Sequence, residues 1–366
     1  MVAFLVPKQI KVKSHKGIYT VDFHNKISKI SKIIKNKKIF LIVDANVYRI
    51  YKLLFNDIFN KSFIIKIEAY EKNKSINQIL PIYKKLIKNR IRKNHLMIVI
   101  GGGIIQDIGC FISSTYIRGL EWYFFPTTLL AQADSCIGSK SSINFYDSKN
   151  IIGTFNPPNK VFIISDFLKS LSKVDIRSGI GEIFKVHMIK SKRSYLELRK
   201  DYINDFFTES NLLKYIYSSL QIKKKYIEVD EFDENIRNIF NYGHSFGHAL
   251  ESATNYQIPH GIAVTMGIFV ANVFALNKKF ISNYNFNITS DILIDNFQSF
   301  KKVNINYSKF KSALKKDKKN TITKMALILP IGDNMFVEKK LFTNNTQFWL
   351  LIKKSLDTLK KSIRDK

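Results

Sequence analysis

His95-Leu-Met-Ile-Val-Ile100 runs without a break into Gly101-Gly102-Gly103. A short, wholly apolar run ended by glycine reads as a strand covered on both faces, the kind found in parallel sheets packed between helices. The glycines leave bare backbone at its carboxyl end, where a pyrophosphate can approach with no side chain in the way. The spacing is not that of the GxGxxG fingerprint, and a tight turn fits the three glycines equally well.

Upstream, residues 63–68 (FIIKIE) and 38–44 (KIFLIVD) repeat the strand pattern, with a helical stretch between them and a second helical stretch over residues 75–93. The order is strand, helix, strand, helix, strand, turn, which predicts a parallel sheet with ligand loops at the carboxyl ends of its strands. Downstream, the apolar residues 122–125 end in Pro126-Thr127-Thr128, two hydroxyls at another strand end. After about Leu171 the texture changes to long amphipathic segments, at residues 176–189, 212–228 and 242–280, and the second half reads as mostly helical. Residues 325–329 and Phe336 read as short strands, and residues 347–352 as the start of a packing helix that runs into a basic tail. A chain of 366 residues exceeds what one core usually fills. The expected fold is therefore an α/β N-terminal nucleotide-binding domain with a parallel sheet over residues 1–171, then a mostly α-helical C-terminal metal-binding domain over residues 172–366.

Lysine and arginine number 59 against 29 acidic residues, a formal charge of +30. Such a balance raises nucleic-acid binding, but the lysines are spread along the whole chain rather than clustered, as on solvated surfaces. We expect no nucleic-acid partner, and a positive field that draws anionic substrates. Cys110 and Cys136 make neither a disulfide framework nor a zinc ribbon, which points to a reducing, cytoplasmic compartment. The opening MVAFLVPKQIKVK has too short an apolar run for a secretory signal, and no later stretch is expected to offer the roughly 18 uncharged apolar residues of a membrane span.

Asn241-Tyr-Gly-His-Ser-Phe-Gly-His248, followed by Pro259-His260-Gly261, gathers three of seven histidines into one stretch. On a helix, His244 and His248 share a face, and imidazoles so placed hold a divalent metal or act as acid and base. Glu182 and His260 are the best-placed further ligands, although spacing leaves open which three bind. Glu182 and Lys185 lie three apart on one helix face, an ordinary ion-pair spacing. Lys223, Arg237 and Asn241 bring cations and an amide toward the histidines, suiting a polyanionic, hydroxylated ligand. Asp134, Lys140, Lys149 and Asn150 stand in a stretch of small residues, SCIGSKSSIN and its sequel, that suits oxyanion binding or a solvated loop.

Together these runs resemble the 3-dehydroquinate synthase family, within the sugar phosphate cyclases. The matching stretches are GGGIIQD from Gly101, TYIRG from Thr115, PTTLLAQADSCIGSKSSIN from Pro126, KNIIGTF from Lys149, GEIFK from Gly181, the lysines and acidic pair of KKKYIEVDE, and NYGHSFGHALE with Pro259-His260-Gly261. They span roughly residues 44–332. The resemblance implies a homodimeric enzyme that uses NAD catalytically and a divalent metal, zinc first and cobalt second. Glu182, His244 and His260 resemble the metal ligands, which releases His248 for substrate phosphate and proton handling. Asp134, Lys140, Asn150, Lys185, Lys223, Arg237, Asn241 and Lys318 match substrate-binding positions, and Arg118 an arginine that reaches the neighbouring subunit's site. Asp44, Glu71, Lys74, Gly102, Gly103, Asp107, Thr127 and Thr128 match NAD-binding positions. The implied reaction converts 3-deoxy-D-arabino-heptulosonate 7-phosphate to 3-dehydroquinate with loss of phosphate, in the shikimate route to aromatic amino acids.

Three positions depart from the family pattern: Gln106 and Ser139 stand where glycines are usual, and Ser245 where a threonine is usual. Gln106 and Ser139 lie near the expected cofactor and substrate loops, which keeps a related cyclase acting on another sugar phosphate as the alternative. Retention of His248 favours dehydroquinate formation.

Overall fold

The computed structural model describes residues 8–35, 37–60, 62–146, 148–300, 303–317 and 320–364. Lys318, expected at the substrate site, lies outside them. The chain packs as two compact units, Met1–Ser172 with Ile216–Asp233, and Lys173–Tyr215 with Glu234–Lys366. The sequence suggests one boundary after Leu171, whereas residues 216–233 pack with the first unit. Their chemistry accounts for this: the Tyr217 ring lies 5.8 Å from that of Phe23, and Lys223 bonds Asp134.

In the first unit the elements run β1 (Gln9–Ser14), β2 (Gly17–His24), α1 (Ile30–Ile33), β3 (Ile39–Asp44), α2 (Ala45–Ile50), α3 (Lys52–Ile58), β4 (Phe63–Ile67), α4 (Ile76–Lys88), β5 (Leu96–Gly101), α5 (Gly103–Thr115), β6 (Trp122–Pro126), β7 (Lys140–Phe145), β8 (Ser148–Phe155) and β9 (Lys160–Ile164). Seven strands form one sheet in the order β1-β2-β9-β6-β5-β3-β4, parallel except for the antiparallel edge pair β1–β2. β5 is buried along its whole length, as its unbroken apolar run requires. Leu41, Val43, Ile98, Ile100, Phe125 and Ile164 pack one core, with Phe125 stacked on Phe162 at 4.9 Å. Where composition suits a loop, Lys140–Phe145 and Ser148–Phe155 instead pair as a separate antiparallel two-stranded sheet, β7–β8.

The second unit holds α6 (Lys173–Lys190), α7 (Lys192–Asn204), the start of α8 (Glu209–Ile227), α9 (His244–Ala253), α10 (His260–Asn277), α11 (Asn283–Phe297), α12 (Tyr307–Lys315), the hairpin β10 (Lys324–Ile331) and β11 (Phe336–Thr343), and α13 (Thr346–Arg364). α10 is apolar all round and buried from Gly261 to Ala275. Contrary to the expectation from sequence, it is long and apolar enough to cross a membrane, with mean hydropathy 1.5; it is the core helix of this unit, 83% buried.

On α6, His187 is buried, bonds the Ser194 hydroxyl at 2.8 Å and meets the Tyr215 ring edge-on. Burial, with Lys190 adding to it, pushes the imidazole from 6.5 down to about 3. The unfolded chain therefore takes up a proton below pH 6.5 that the folded one refuses until about pH 3. The stability this neutral histidine contributes is complete above that window and falls with pH inside it, by about 1.4 kcal/mol per unit. Urea titrations at pH 7 and pH 5 should show a smaller acid loss for His187→Gln than for the wild type. Equal losses would remove His187 from the acid response.

Candidate active site

In the first unit, the loops that follow β3, β5 and β6 lie at the carboxyl ends of neighbouring strands, as a parallel sheet requires of a ligand edge. Asp44 caps α2, accepting from the N–H of Asn46 at 2.8 Å and of Val47 at 3.4 Å. Burial pushes its carboxyl above the usual range, and those two N–H groups pull it back. Gly102 caps α5, and any side chain there would crowd Thr128, so the turn after β5 keeps its backbone open. Thr127 donates its N–H to the Gly101 carbonyl at 3.0 Å.

Lys74 is buried, and its ammonium donates to Asp107 at 3.0 Å and to Asn150 at 2.8 Å, with Glu71 at 3.5 Å. Burial raises the Asp107 carboxyl above its ordinary value, against the pull of Lys74. Glu71, Lys74, Asp107 and Asn150 thus form one network, which joins a residue expected on substrate to three expected on the cofactor.

A second group in this unit centres on Asp134. Lys223, from α8, donates to its carboxylate at 2.8 Å and to its backbone carbonyl at 2.7 Å. Lys140, first residue of β7, pairs with Asp233 at 2.5 Å. Asp233 was not singled out from sequence; the acid-rich run Asp230-Glu-Phe-Asp-Glu234 was its only signal. Ser139 is buried, and its carbonyl accepts from the N–H of Asn156. Arg118 is exposed, in a left-handed backbone conformation (φ 60°), and Lys149 is exposed.

In the second unit, three helices converge on one carboxylate. Glu182, on α6, is 1% exposed. Its Oε1 lies 3.6 Å from His244 Nε2, at the first residue of α9, and 3.4 Å from His260 Nε2, at the first residue of α10. Its Oε2 pairs with the buried Lys185 one helical turn on. Each imidazole is held by its other nitrogen: His244 Nδ1 faces the Tyr242 carbonyl at 3.3 Å, and His260 Nδ1 faces Glu251 at 3.3 Å.

Glycines set this convergence. Gly181, Gly243 and Gly261 each sit beside one of the three residues. A methyl group at Gly181 would overlap the Gly261 carbonyl, and one at Gly261 would overlap the Ser178 carbonyl, so α6 and α10 touch backbone to backbone. Gly243 (φ 76°) adopts the left-handed conformation that launches α9 and lies against Val264 and Ile268 of α10.

Burial would raise the Glu182 carboxyl, but Lys185, then His244 and His260, hold it well below its ordinary range. Burial, with Lys185, drives His244 down, so it is neutral, as a ligand must be. Burial also disfavours the His260 cation, yet Glu182 and Glu251 outweigh it and bring it up to about 10. One carboxylate oxygen and two Nε2 atoms, mutually within 4.8 Å, form a donor set of the N/O kind that suits a divalent ion, which would take the place of the His260 proton. His248, Glu251 and His260 form a second such group, sharing His260. His248 is exposed, its ring 5.4 Å from that of His244 and 5.6 Å from that of His260. Glu251 was missed from sequence, although it lies one turn beyond His248 on the same helix.

Arg237, buried, and Asn241 occupy the 3-10 turn Ile236–Asn241 just before α9, and Asn241 donates to the Asn238 carbonyl at 3.0 Å. Ser245 donates to Asp317 at 2.6 Å.

Family models described as 3-dehydroquinate synthase N-terminal and C-terminal match residues 64–178 and 179–320. The 3-dehydroquinate synthase of Clostridium tetani is 36% identical over 301 residues, 79% of this chain and 78% of that protein. A solved structure of 2-deoxy-scyllo-inosose synthase, complexed with carbaglucose-6-phosphate, NAD+ and Co2+, superposes with TM-score 0.80 at 17% identity over 96% of this chain and 99% of that one. The 2-epi-5-epi-valiolone synthase of Streptomyces hygroscopicus, with NAD+ and Zn2+ bound, gives TM-score 0.77 at 21% identity over 94% and 97%. These two likenesses establish the α/β and helical fold. With both family models and a relative of that identity covering most of its length, the chain belongs to the 3-dehydroquinate synthase family.

Proposed function

We infer that the chain works as a 3-dehydroquinate synthase, a lyase that converts 3-deoxy-D-arabino-heptulosonate 7-phosphate to 3-dehydroquinate and inorganic phosphate. The observation that carries this is the convergence of His244 and His260 on the buried Glu182 in a chain of that family.

Glu182, His244 and His260 would hold the metal, and the imidazole and carboxylate donors favour zinc, with cobalt next. Bound there, the ion supplies Lewis acidity toward substrate hydroxyl oxygens. NAD, held by the loops of Asp44, Glu71, Lys74, Gly102, Gly103, Asp107, Thr127 and Thr128, supplies a reversible hydride acceptor that makes the neighbouring C–H acidic. The chain's own groups do the rest. Asp134, Lys140, Lys149, Asn150 and Lys223 orient the polyol and its carboxylate. Lys185, Arg237 and Asn241 offer charge and hydrogen bonds to a phosphate, which strengthen as negative charge grows on the leaving group. His248, exposed beside His244 and His260, passes a proton at its imidazole nitrogen. Lys318 completes the substrate set by resemblance. Holding the reacting ends together favours the closing carbon–carbon bond.

The enzyme is a homodimer in this reading, with exposed Arg118 reaching the partner copy's site, and it works in the cytoplasm without nucleic-acid or membrane partners. Two buried free thiols, Cys110 and Cys136, support a reducing compartment.

Purified protein given NAD, zinc and the heptulosonate phosphate should release phosphate and form 3-dehydroquinate, and a chelator should stop both. Phosphate released from a different sugar phosphate alone would assign another cyclase activity. Removing the charge at Lys223 tests the substrate set. Lys223→Met removes the ammonium that pairs with Asp134 and is expected to lower kcat/KM about a hundredfold, the loss of a charged hydrogen bond and its orientation. Unchanged steady-state kinetics would take Lys223 out of the site.

A further inference from the structure

Gln106 stands in α5, four residues beyond the glycine cap of that helix, with 6% of its surface exposed. Its amide makes a reciprocal pair of bonds with Ser135: Nε2 donates to the Ser135 carbonyl at 2.6 Å, and Oε1 accepts from the Ser135 hydroxyl at 2.6 Å. Ser135 ends a π-helical turn, Ala131–Ser135, and Asp134 is the residue before it. Such turns are rare and are met at functional sites, and their wider backbone ring leaves the exit residues less constrained than in an α-helix. Side chains make up the difference here. Gln132 fastens the start of the turn, donating to the Pro126 and Ile164 carbonyls at 3.0 Å each. Gln106 fastens the end, gripping both polar groups of Ser135. Between these two anchors Asp134 faces Lys223.

We propose that Gln106, through Ser135, is a positioning residue that fixes the Asp134 peptide and carboxylate for substrate, a task that a glycine at this position would leave undone. The proposal rests on the assignment of Asp134 to the substrate site. It predicts an effect on substrate affinity rather than on the chemical step or on the cofactor, because both bonds of the Gln106 amide go to Ser135, the neighbour of Asp134.

The test uses Gln106→Met, which keeps the volume and removes both bonds, together with Ser135→Ala and the double variant. The KM for the heptulosonate phosphate should rise about tenfold in each, the scale of one or two lost buried hydrogen bonds. The kcat should hold within about threefold and the NAD dissociation constant within about twofold, and the double variant should be no worse than either single one, as for groups that act as a unit. Hydrogen exchange, which needs no turnover, should speed up at residues 131–139 in Gln106→Met. Unchanged KM in both single variants, or equal losses of NAD affinity and substrate affinity, would overturn the proposal. So would unaltered exchange at residues 131–139. If the wild type fails to act on the heptulosonate phosphate, the assigned reaction falls, while the exchange comparison still decides whether Gln106 fixes the turn.

Discussion

Exchange of Glu182 for glutamine is expected to leave a protein that retains no metal after dialysis and releases phosphate at least about a thousandfold more slowly. Glutamine keeps the shape of the side chain and removes its charge. The oxygen facing two Nε2 atoms becomes a weak neutral donor, and the buried Lys185 loses its counter-charge. Breaking a buried pair from one side typically costs about 3–5 kcal/mol, because the remaining charge is stranded. Some of the lost activity could then come from unfolding rather than from the lost ligand. The double variant Glu182→Gln with Lys185→Met separates the two: it has no stranded charge, so its urea midpoint should recover toward wild type while metal content and turnover stay absent. Bound-metal analysis and phosphate release are the measurements. Full metal occupancy in the single variant would remove Glu182 from the ligand set.

Gly261→Ala is expected to lower stability by about 3 kcal/mol or more, at the upper end of overpacking effects, and to weaken zinc binding at least about tenfold. The new methyl group would overlap the Ser178 carbonyl, an atom fixed in the backbone of α6 that no rotamer change can move aside. α10 must back away from α6, which carries His260 away from Glu182. The pairing with Gly181, whose own added methyl would strike the Gly261 carbonyl, leaves no slack on the other side of the crossing. Urea denaturation and zinc competition against a chromophoric chelator check the two effects. An unchanged urea midpoint would mean that the helices do not touch as described.

Much of the first unit was legible in sequence because its strands announce themselves. The runs at 38–44, 63–68 and 95–100 are mostly aliphatic and aromatic, and the structure has strands at all three, β3, β4 and β5. β1 and β2 escape such a reading, since they are not apolar runs: Ile10, Val12, Tyr19 and Val21 face inward between lysines and other polar residues. Lys140-Ser-Ser-Ile-Asn-Phe145 reads as loop because it offers few apolar side chains; the pairing of β7 with β8 supplies the backbone bonds that its composition does not advertise. Helix content in the second half was plain from periodicity, apart from the break between α9 and α10, where Pro259 starts a new helix. Spacing suggested His244 with His248 as a metal pair. Glu182 and His260 stand out as further candidates, but their approach to His244 depends on long-range helix crossings, which no local pattern encodes, and the choice of these three came through family resemblance.

The backbone contacts at Gly181 and Gly261 limit how far helix movement can separate the Glu182 carboxylate from the His260 imidazole. A donor set hung on flexible side chains swells or shrinks to suit its guest. Here Glu182 and His260 stand on α6 and α10, which touch backbone to backbone, so a backbone movement that widened the span between this carboxylate and this imidazole would have to part the two helices. Lysine and arginine can then accumulate along the chain, to a net charge of +30, without altering the helix contact behind that span.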